Sequence, residues 1–195
     1  DLTVTGVQTC ALPIYNIIFK GVSLALPPQK IISITGANGI GKTTLLKILT
    51  HVLIPKKGDI FWNGKNIKKN IFNYYKDVTF VMDKQTSNIN LSVIENIFFW
   101  KKLFSSIISK KEIDAILDLL SLGSYRNILI NFLSNGEIKK LELARLVIEQ
   151  KKLWVLDEPY IGLDMEAINL LNETFINHTK SDRKSTRLNS SHSEI

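Results

Sequence analysis

Apolar positions recur along the chain in two spacings, one typical of strands and one typical of helices. Short apolar runs predict strands at residues 17–19, 22–26, 31–35, 59–62, 78–82 and 153–156. Helical spacing predicts helices at residues 42–51, 92–104, 110–120 and 135–149, with another helix after Asp164. Strands that alternate with helices in this way indicate an α/β fold.

Between about residues 87 and 134 the helical pattern continues without a strand. In its first helix, one apolar face carries Val93, Ile97, Trp100 and Phe104. We expect this stretch to be a helical insertion within the α/β domain.

The two ends of the chain share a pattern at the level of DNA. Residues 182–192 read DRKSTRLNSSH, a polar string without helical or strand period. One DNA that encodes this string has a reverse complement that translates as VTGVQTCALPI, which is residues 4–14 without a mismatch. That DNA resembles a sequencing-library adapter. We therefore interpret residues 1–14 and 182–195 as translated adapter and residues 15–181 as a truncated natural domain.

The composition excludes some classes of protein. Of the 195 residues, 45% are hydrophobic and 22% charged, so we expect one soluble globular domain with a single substantial core. No apolar run approaches the roughly 18 residues that a membrane-spanning helix needs. Any membrane attachment is therefore expected to come through a partner.

The net charge of +7 and the single cysteine also narrow the possibilities. Basic chains often bind nucleic acid, but here the lysines are scattered through Ile- and Asn-rich sequence, as in residues 66–73. No nucleic-acid partner is expected. The cysteine, Cys10, lies in the predicted adapter, which leaves no disulfide and no thiolate metal site.

Residues 36–43 read GANGIGKT and match the phosphate-binding pattern G-x-x-x-x-G-K-[ST] between a predicted strand and a predicted helix. The glycines allow backbone N–H groups to surround a phosphate at the helix N-terminus. Lys42 is expected to reach the β- and γ-phosphates of ATP, and the Thr43 hydroxyl to bind Mg²⁺. The predicted nucleotide-binding residues of this loop are Gly36, Asn38, Gly39, Gly41, Lys42, Thr43 and Thr44.

The apolar strand at residues 153–156 ends in two carboxylates, Asp157 and Glu158. On a central strand they lie at its carboxyl end, beside the phosphates. Asp157 is predicted to hold Mg²⁺ through its water shell. Glu158 is predicted to orient and activate the attacking water as general base.

Residues 133–137 read LSNGE and precede an amphipathic helix. Ser134 and Glu137 fit an S-x-x-E capping box, which many helices have. The pentapeptide also resembles the LSGGQ signature of ABC ATPases and stands 21 residues before Glu158, as in that family. It departs from the family consensus at Asn135 and Glu137.

The resemblance to ABC ATPases implies a P-loop NTPase core with a parallel sheet, a small antiparallel β subdomain and a helical subdomain at about 87–134. It implies a homodimer, in which Ser134 and Gly136 of one subunit contact the γ-phosphate bound by the other. Gln85 resembles the Q-loop glutamine, which contacts Mg²⁺ and the attacking water and so counts as a catalytic and a metal residue. Taken alone, without the resemblance, Gln85 would be interpreted by default as a solvated loop residue. Residues 162–164 resemble the D-loop.

Within that family the chain is similar to the haem-exporter ATPases of cytochrome c maturation, through residues 58–64, 91–96, 144–145 and 153–159. This similarity implies a peripheral ATPase on the cytoplasmic face of the bacterial inner membrane, bound to integral membrane subunits. The alternatives are a subunit of another ABC transporter and a soluble ABC ATPase without a transporter. The transported substrate and its direction stay open.

Two family features fall in the predicted adapter. The adenine-stacking aromatic residue is expected near Pro13, where Tyr15 is a possible substitute, and the switch histidine is expected beyond Ser181. His192 follows no apolar strand and is assigned no role, and His178 is expected to be exposed. We therefore expect the chain to bind nucleotide but to hydrolyse it slowly.

Overall fold

The computed structural model describes residues 1–11, 16–82, 84–180 and 184–188. The chain divides into two compact units. The first unit comprises Asp1–Phe80, Lys152–Glu158 and His178–Ile195, and the second comprises Val81–Lys151 and Pro159–Asn177. Pro13, Tyr15 and His192 lie outside the described residues. Among the residues that are described, no helix is both long and apolar enough to cross a bilayer.

The first unit contains an antiparallel sheet of strand order β2-β1-β4-β5. Its strands are β1 (Leu2–Ala11), β2 (Asn16–Leu26), β4 (Lys57–Trp62) and β5 (Lys65–Asn66). The turn between β4 and β5 is Asn63-Gly64, and both residues have positive φ, 50° and 74°. Two positive φ angles are what a type I′ hairpin requires, and Asn-Gly is its preferred sequence.

A parallel sheet of strand order β3-β8-β7-β6 completes the first unit. It consists of β3 (Ile31–Ile34), β6 (Val78–Val81), β7 (Leu153–Leu156) and β8 (Lys184–Leu188). Because β8 pairs in parallel with both β3 and β7, the carboxyl ends of β3 and β7 lie at the same edge of the sheet. Functional residues that follow these two strands are thereby brought to one edge.

Helix α1 (Lys42–Leu49) packs against both sheets through Leu45, Leu46, Ile48 and Leu49. Helix α2 (Ile71–Asp77) adds Tyr74, whose hydroxyl donates to the carbonyl oxygen of Leu49 at 2.6 Å. Complete burial raises the pKa of Tyr74, so this hydroxyl stays protonated and remains a donor.

The second unit is helical and contains α3 (Val93–Leu103), α4 (Lys110–Leu119) and α5 (Asn135–Glu149), together with most of α6 (Met165–Lys180). Three helices begin with the same device, a reciprocal capping box between a serine at the N-cap and a glutamate three residues later: Ser92 with Glu95, Ser109 with Glu112 and Ser134 with Glu137. Each box satisfies N–H groups that a helix start leaves unpaired. The predicted helical insertion is present, with its apolar face at Val93, Ile97 and Trp100 buried.

Two expectations about strands are wrong. The polar string at residues 182–192 includes strand β8, because its backbone forms parallel ladders with both neighbours. The two strands predicted at 17–19 and 22–26 are one strand, β2. Whether the ends derive from adapter DNA is a separate question, and that interpretation stays a prediction.

His178, expected to be exposed, is only 3% exposed. Its ring stacks on Trp154 with centroids 3.5 Å apart and an interplanar angle of 22°. The contact joins the end of α6 to β7, a pairing between residues far apart in sequence that periodicity does not reveal.

Candidate functional site

The loop between β3 and α1 has the backbone that phosphate binding requires. Gly39 and Gly41 have φ angles of 80° and 106°, which glycine adopts readily and other residues do not. A Cβ atom at Gly41 would collide with the Cγ2 atom of Ile18, so no larger residue fits there without a shift. The two glycines therefore satisfy both the conformational and the steric demands of the loop.

Gly41 is also the N-cap of α1, and no side chain caps this helix start. The first turn carries no acidic residue either. Uncapped N–H groups at a helix start attract anions, because they carry the positive end of the helix dipole. The N-terminus of α1 is thus free to bind phosphate.

Lys42 folds back over the loop it follows. Its Nζ atom donates to the carbonyl oxygens of Gly36 at 2.6 Å and Ala37 at 3.1 Å, and the residue is 9% exposed. Asn38 and Thr43 are exposed, and Thr44 is half-buried. The loop therefore holds an ammonium group in place and presents two polar side chains to solvent.

Asp157 follows β7 and is 4% exposed, and its Oδ1 atom accepts no hydrogen bond from any residue that the structure describes. Leaving a buried carboxylate oxygen unpaired is costly, which marks it as a site for a missing partner. Carboxylate oxygens suit Mg²⁺, which keeps several waters and is bound through one or two carboxylates. The residue fits a hydrated Mg²⁺.

Glu158 is half-buried and has a φ of 48°. Positive φ is unfavourable for a residue with a Cβ atom, and the following Pro159 restricts the backbone of Glu158 further. Such strain concentrates at functional sites, where the surrounding structure maintains it.

The register of the parallel sheet brings the loop and the carboxylates to one edge. Arg187 of β8 is paired with Ser33 of β3 on one side and with Leu156 of β7 on the other. The strands β3 and β7 are thus two strand spacings apart, about 10 Å. The loop at residues 36–43 and Asp157 follow strands that end at the same edge of the sheet, with β8 between them.

In the second unit, Ser134 caps α5. Its backbone N–H donates to the Glu137 carboxylate at 2.7 Å, and its Oγ atom accepts from the Glu137 N–H at 3.3 Å. A Cβ atom at Gly136 would lie 3.0 Å from the carbonyl oxygen of Gly162, so the first turn of α5 packs tightly on the turn that carries Gly162. Glycine at this position allows that approach.

The carboxylate of Glu137 is held back against its own helix start. A hydrogen bond from the Tyr125 hydroxyl lowers the pKa of Glu137, and bonds from the backbone and side chain of Ser134 lower it further. The group is therefore a carboxylate at neutral pH. At this position the ABC signature has a neutral glutamine, so the chain carries a negative charge where the family has none.

The remaining predicted site residues also lie in the second unit. Gln85 is exposed, and its Nε2 atom donates to the carbonyl oxygen of Ser87 at 3.2 Å. Asp164 accepts from the N–H of Ala167 at 2.8 Å and forms an ion pair with Lys140 of α5, also at 2.8 Å. These contacts lower the pKa of Asp164, with the hydrogen bond from Lys140 the largest cause.

Sequence reasoning missed a buried charge cluster on α5, formed by Glu142, Arg145 and Glu149. A signal was available: each of these residues directly follows one of the inward apolar positions Leu141, Ala144 and Ile148. Helix positions next to an apolar stripe lie close to the core. Charged residues that recur at such positions indicate ion pairs rather than a solvated face, because buried charges require partners.

Comparison with known proteins gives concordant results. A family model described as ABC transporter matches residues 19–161. The protein named cytochrome c biogenesis ATP-binding export protein CcmA from Reclinomonas americana is 34% identical over 180 residues, covering 91% of this chain and 78% of that protein.

Solved structures share the fold. A putative ABC transporter ATP-binding protein from Pyrococcus furiosus has a TM-score of 0.83 at 23% identity, covering 100% of this chain and 92% of that one. A dimeric ATP-binding cassette in a post-hydrolysis state, bound to ADP and Pi, has a TM-score of 0.79 at 19% identity and covers 96% of this chain and 87% of that one. The predicted fold class is confirmed.

Proposed function

The chain belongs to the ABC transporter family as an ATP-hydrolysing subunit, and we propose that it acts as a homodimer that drives haem export for cytochrome c biogenesis. The observation that carries the proposal is the 34% identity, over 91% of this chain, to an export ATPase of that name. Each step of the proposed mechanism uses residues described above.

ATP binding is assigned to the loop between β3 and α1. Backbone N–H groups at Gly39 and Gly41 and the helix start bind the phosphates. The Lys42 ammonium exchanges its bonds to the loop carbonyls for bonds to the β- and γ-phosphate oxygens. Asn38 and Thr44 are assigned to further contacts with the same phosphates.

Hydrolysis is assigned to the carboxylates after β7. Thr43, Gln85 and Asp157 are the residues that would hold Mg²⁺, which neutralises charge on the phosphates when bound. Glu158 would accept a proton from the attacking water as that water's oxygen bonds to the γ-phosphorus and the bond from the γ-phosphorus to the β,γ-bridging oxygen breaks, which releases ADP and phosphate. The resemblance to the family assigns Gln85 to orienting this water.

Dimerisation is proposed because Ser134 and Gly136 begin a helix whose N-terminus suits a phosphate bound by a second copy. A fold neighbour solved as a dimer with ADP and Pi supports this arrangement. Glu137 places a carboxylate at the same helix start, which opposes the approach of the partner's nucleotide.

We expect MgATP to convert the monomer to a dimer. Glu137→Gln is expected to lower the dimer dissociation constant about three- to tenfold at low salt. The reason is that removing a unit charge from a partly solvated site changes the free energy of association by about 1 kcal/mol. Glutamine keeps an acceptor for the Ser134 N–H, so the helix cap is retained. Sedimentation velocity at two ionic strengths measures the effect.

The matched control for this experiment is Glu112→Gln, which changes the same capping box at the start of α4. It is expected to leave the dimer dissociation constant unchanged. An equal shift with both variants contradicts the electrostatic argument, and a chain that stays monomeric with MgATP contradicts the composite site.

A membrane partner is proposed from an exposed apolar surface of the second unit. Along α3, Phe98, Phe99 and Leu103 are 44%, 51% and 60% exposed, and we call these three residues the α3 patch. Contiguous exposed apolar side chains mark interaction sites. We assign the α3 patch to integral membrane subunits, which would hold the chain peripherally at the cytoplasmic face of the inner membrane.

Co-purification tests both the partner and the cargo class. We expect the tagged chain to retain membrane subunits of a cytochrome c biogenesis system but not those of an ABC importer. Phe99→Asp introduces a charge into the α3 patch and is expected to reduce the recovery of those membrane subunits at least about fivefold. Phe72→Asp, at a residue of α2 that is 72% exposed, is the matched control. Recovery of the importer subunits alone contradicts haem export, and an equal loss with Phe72→Asp contradicts the role of the α3 patch.

A further inference from the structure

Glu142 is a buried carboxylate in the middle of α5, 3% exposed. It accepts three hydrogen bonds from two residues of the loop after β6. The N–H groups of Thr86 and Ser87 donate to its Oε1 atom at 2.8 and 2.7 Å, and the Thr86 hydroxyl donates to its Oε2 atom at 2.6 Å. One side chain of α5 therefore fixes two consecutive peptide units of that loop.

Arg145, one turn later on α5, closes the cluster. Its Nη1 atom donates to the Thr86 hydroxyl oxygen at 2.7 Å and lies 3.6 Å from the Oε2 atom of Glu142. Glu149 binds the other side of the guanidinium at 2.7 and 2.8 Å, and the ring of Trp100 lies 5.6 Å from the guanidinium carbon. Arg145 thus bonds the Thr86 hydroxyl on one side and Glu149 on the other, while the N–H groups of Thr86 and Ser87 are held by Glu142 alone among these charged residues.

Stability alone does not account for this carboxylate. Burying an ion pair in a helical core is often no better for stability than apolar packing of similar volume. The carboxylate instead adds positional specificity, because its two oxygens accept hydrogen bonds from donors that must lie at defined positions. The residue placed by those donors is Gln85, which directly precedes Thr86.

The side chain of Gln85 is tied to the same anchor. Its Nε2 atom donates to the carbonyl oxygen of Ser87 at 3.2 Å. The backbone carbonyl of Gln85 belongs to the peptide unit whose N–H, that of Thr86, donates to Glu142, and Ser87 is itself bound to Glu142 through its own N–H. The helix that carries Glu142 begins at Ser134 and Gly136. The loop of Gln85 and the helix start at Ser134 are therefore connected through one short chain of hydrogen bonds.

We propose that Glu142 is a positioning residue for Gln85, which holds the Gln85 loop to the helix that carries Ser134 and Gly136 so that the two move together. The inference rests on the proposed function, since it assigns Gln85 and Ser134 to the nucleotide sites of a dimer. Glu142 contacts no reacting atom. It acts through Gln85, whose loop it holds within the second unit.

The experiment compares Glu142→Ala, Glu142→Gln and Glu149→Ala with the unmodified chain. Single-turnover hydrolysis of MgATP is expected to fall at least about tenfold in Glu142→Ala, because misplacing an orienting group by about 1 Å costs one to two orders of magnitude. The MgATP dissociation constant stays within about twofold, because the phosphate loop is unchanged. Amide exchange at Thr86 and Ser87 becomes faster.

Glu142→Gln is the conservative rescue, since its carbonyl oxygen still accepts from both N–H groups, and it is expected to keep hydrolysis within about threefold. Glu149→Ala is the matched control. Glu149 is buried on the same helix and bound to the same arginine, and none of its hydrogen bonds or ion pairs described here involves Thr86 or Ser87. It is expected to lower the melting temperature without slowing hydrolysis.

Several results overturn the inference. The inference is wrong if Glu142→Ala leaves hydrolysis or amide exchange unchanged. It is also wrong if Glu149→Ala loses as much hydrolysis as Glu142→Ala. Where Glu142→Ala fails to fold, Thr86→Val removes the hydroxyl bonds from the exposed side, and unchanged hydrolysis in that variant overturns the inference as well. An unmodified chain that does not bind MgATP overturns the proposed function instead, while amide exchange at Thr86 and Ser87 still decides the anchoring.

Discussion

A chain with Lys42→Ala is expected to bind MgATP at least about a hundredfold more weakly than the unmodified chain, because in the proposed site the ammonium contacts two phosphate groups through charge-assisted hydrogen bonds. In the structure the same group donates hydrogen bonds to the carbonyl oxygens of Gly36 and Ala37. Binding therefore exchanges one set of acceptors for another of greater charge. Isothermal titration calorimetry at fixed ionic strength measures the difference.

Lys47→Ala is the control for this prediction. Lys47 lies later on the same helix, near its C-terminus, and is half-buried. Removing it changes the net charge of the chain equally but takes nothing from the phosphate loop. Equal weakening in both variants contradicts a specific role for Lys42 and indicates a general effect of charge.

The elements best predicted from sequence are those with local signals at their ends. Helix α5 was predicted at residues 135–149 and has those bounds. Its start is marked by the capping box of Ser134 and Glu137, and it ends where Gln150 adopts a left-handed conformation. The phosphate-binding pattern is equally local, since its glycines, Lys42 and Thr43 all lie within residues 36–43 and their chemistry is specific.

Features that depend on distant residues were predicted poorly. Strand β8 reads KSTRL, whereas central parallel strands are usually apolar, and only its pairing with β3 and β7 identifies it. Helix α2 has seven residues and lacks a side-chain N-cap bond, so neither length nor capping marks it. The burial of His178 depends on Trp154, and that of Glu142 depends on Thr86 and Ser87. In each case the deciding partner lies elsewhere in the chain.

Strain at Glu158 is another non-local feature, and it bears on the chemistry. A positive φ before proline was not evident from the sequence, yet it determines how the carboxylate leaves the end of β7. Backbone stability and the proposed catalytic role are thus in opposition at a single residue. Substitutions that change the side chain and the backbone freedom separately can measure the two effects.

Glu158→Gln is expected to lower single-turnover hydrolysis about a hundred- to a thousandfold with MgATP binding retained, because glutamine keeps the size of glutamate but cannot accept the proton of the attacking water. Glu158→Gly is expected to lower hydrolysis to the same extent, because it also lacks the carboxylate. It is further expected to raise the free energy of unfolding by about 1 kcal/mol, since glycine adopts positive φ without strain. Urea denaturation and rapid-quench assays measure the two quantities on the same preparations.

Gln150→Gly separates these two effects, because Gln150 also has a positive φ, 51°, but is assigned no part in the chemistry. It is expected to raise the free energy of unfolding by about half as much as Glu158→Gly, since no proline follows it, and to leave hydrolysis unchanged. Stabilisation at Gln150 without stabilisation at Glu158 contradicts backbone strain at the active carboxylate. If Glu158→Gln retains hydrolysis, this result contradicts the assignment of Glu158 as the general base. The proton of the attacking water then has to pass to another group at the same sheet edge, and Asp157 is the nearest such group in sequence.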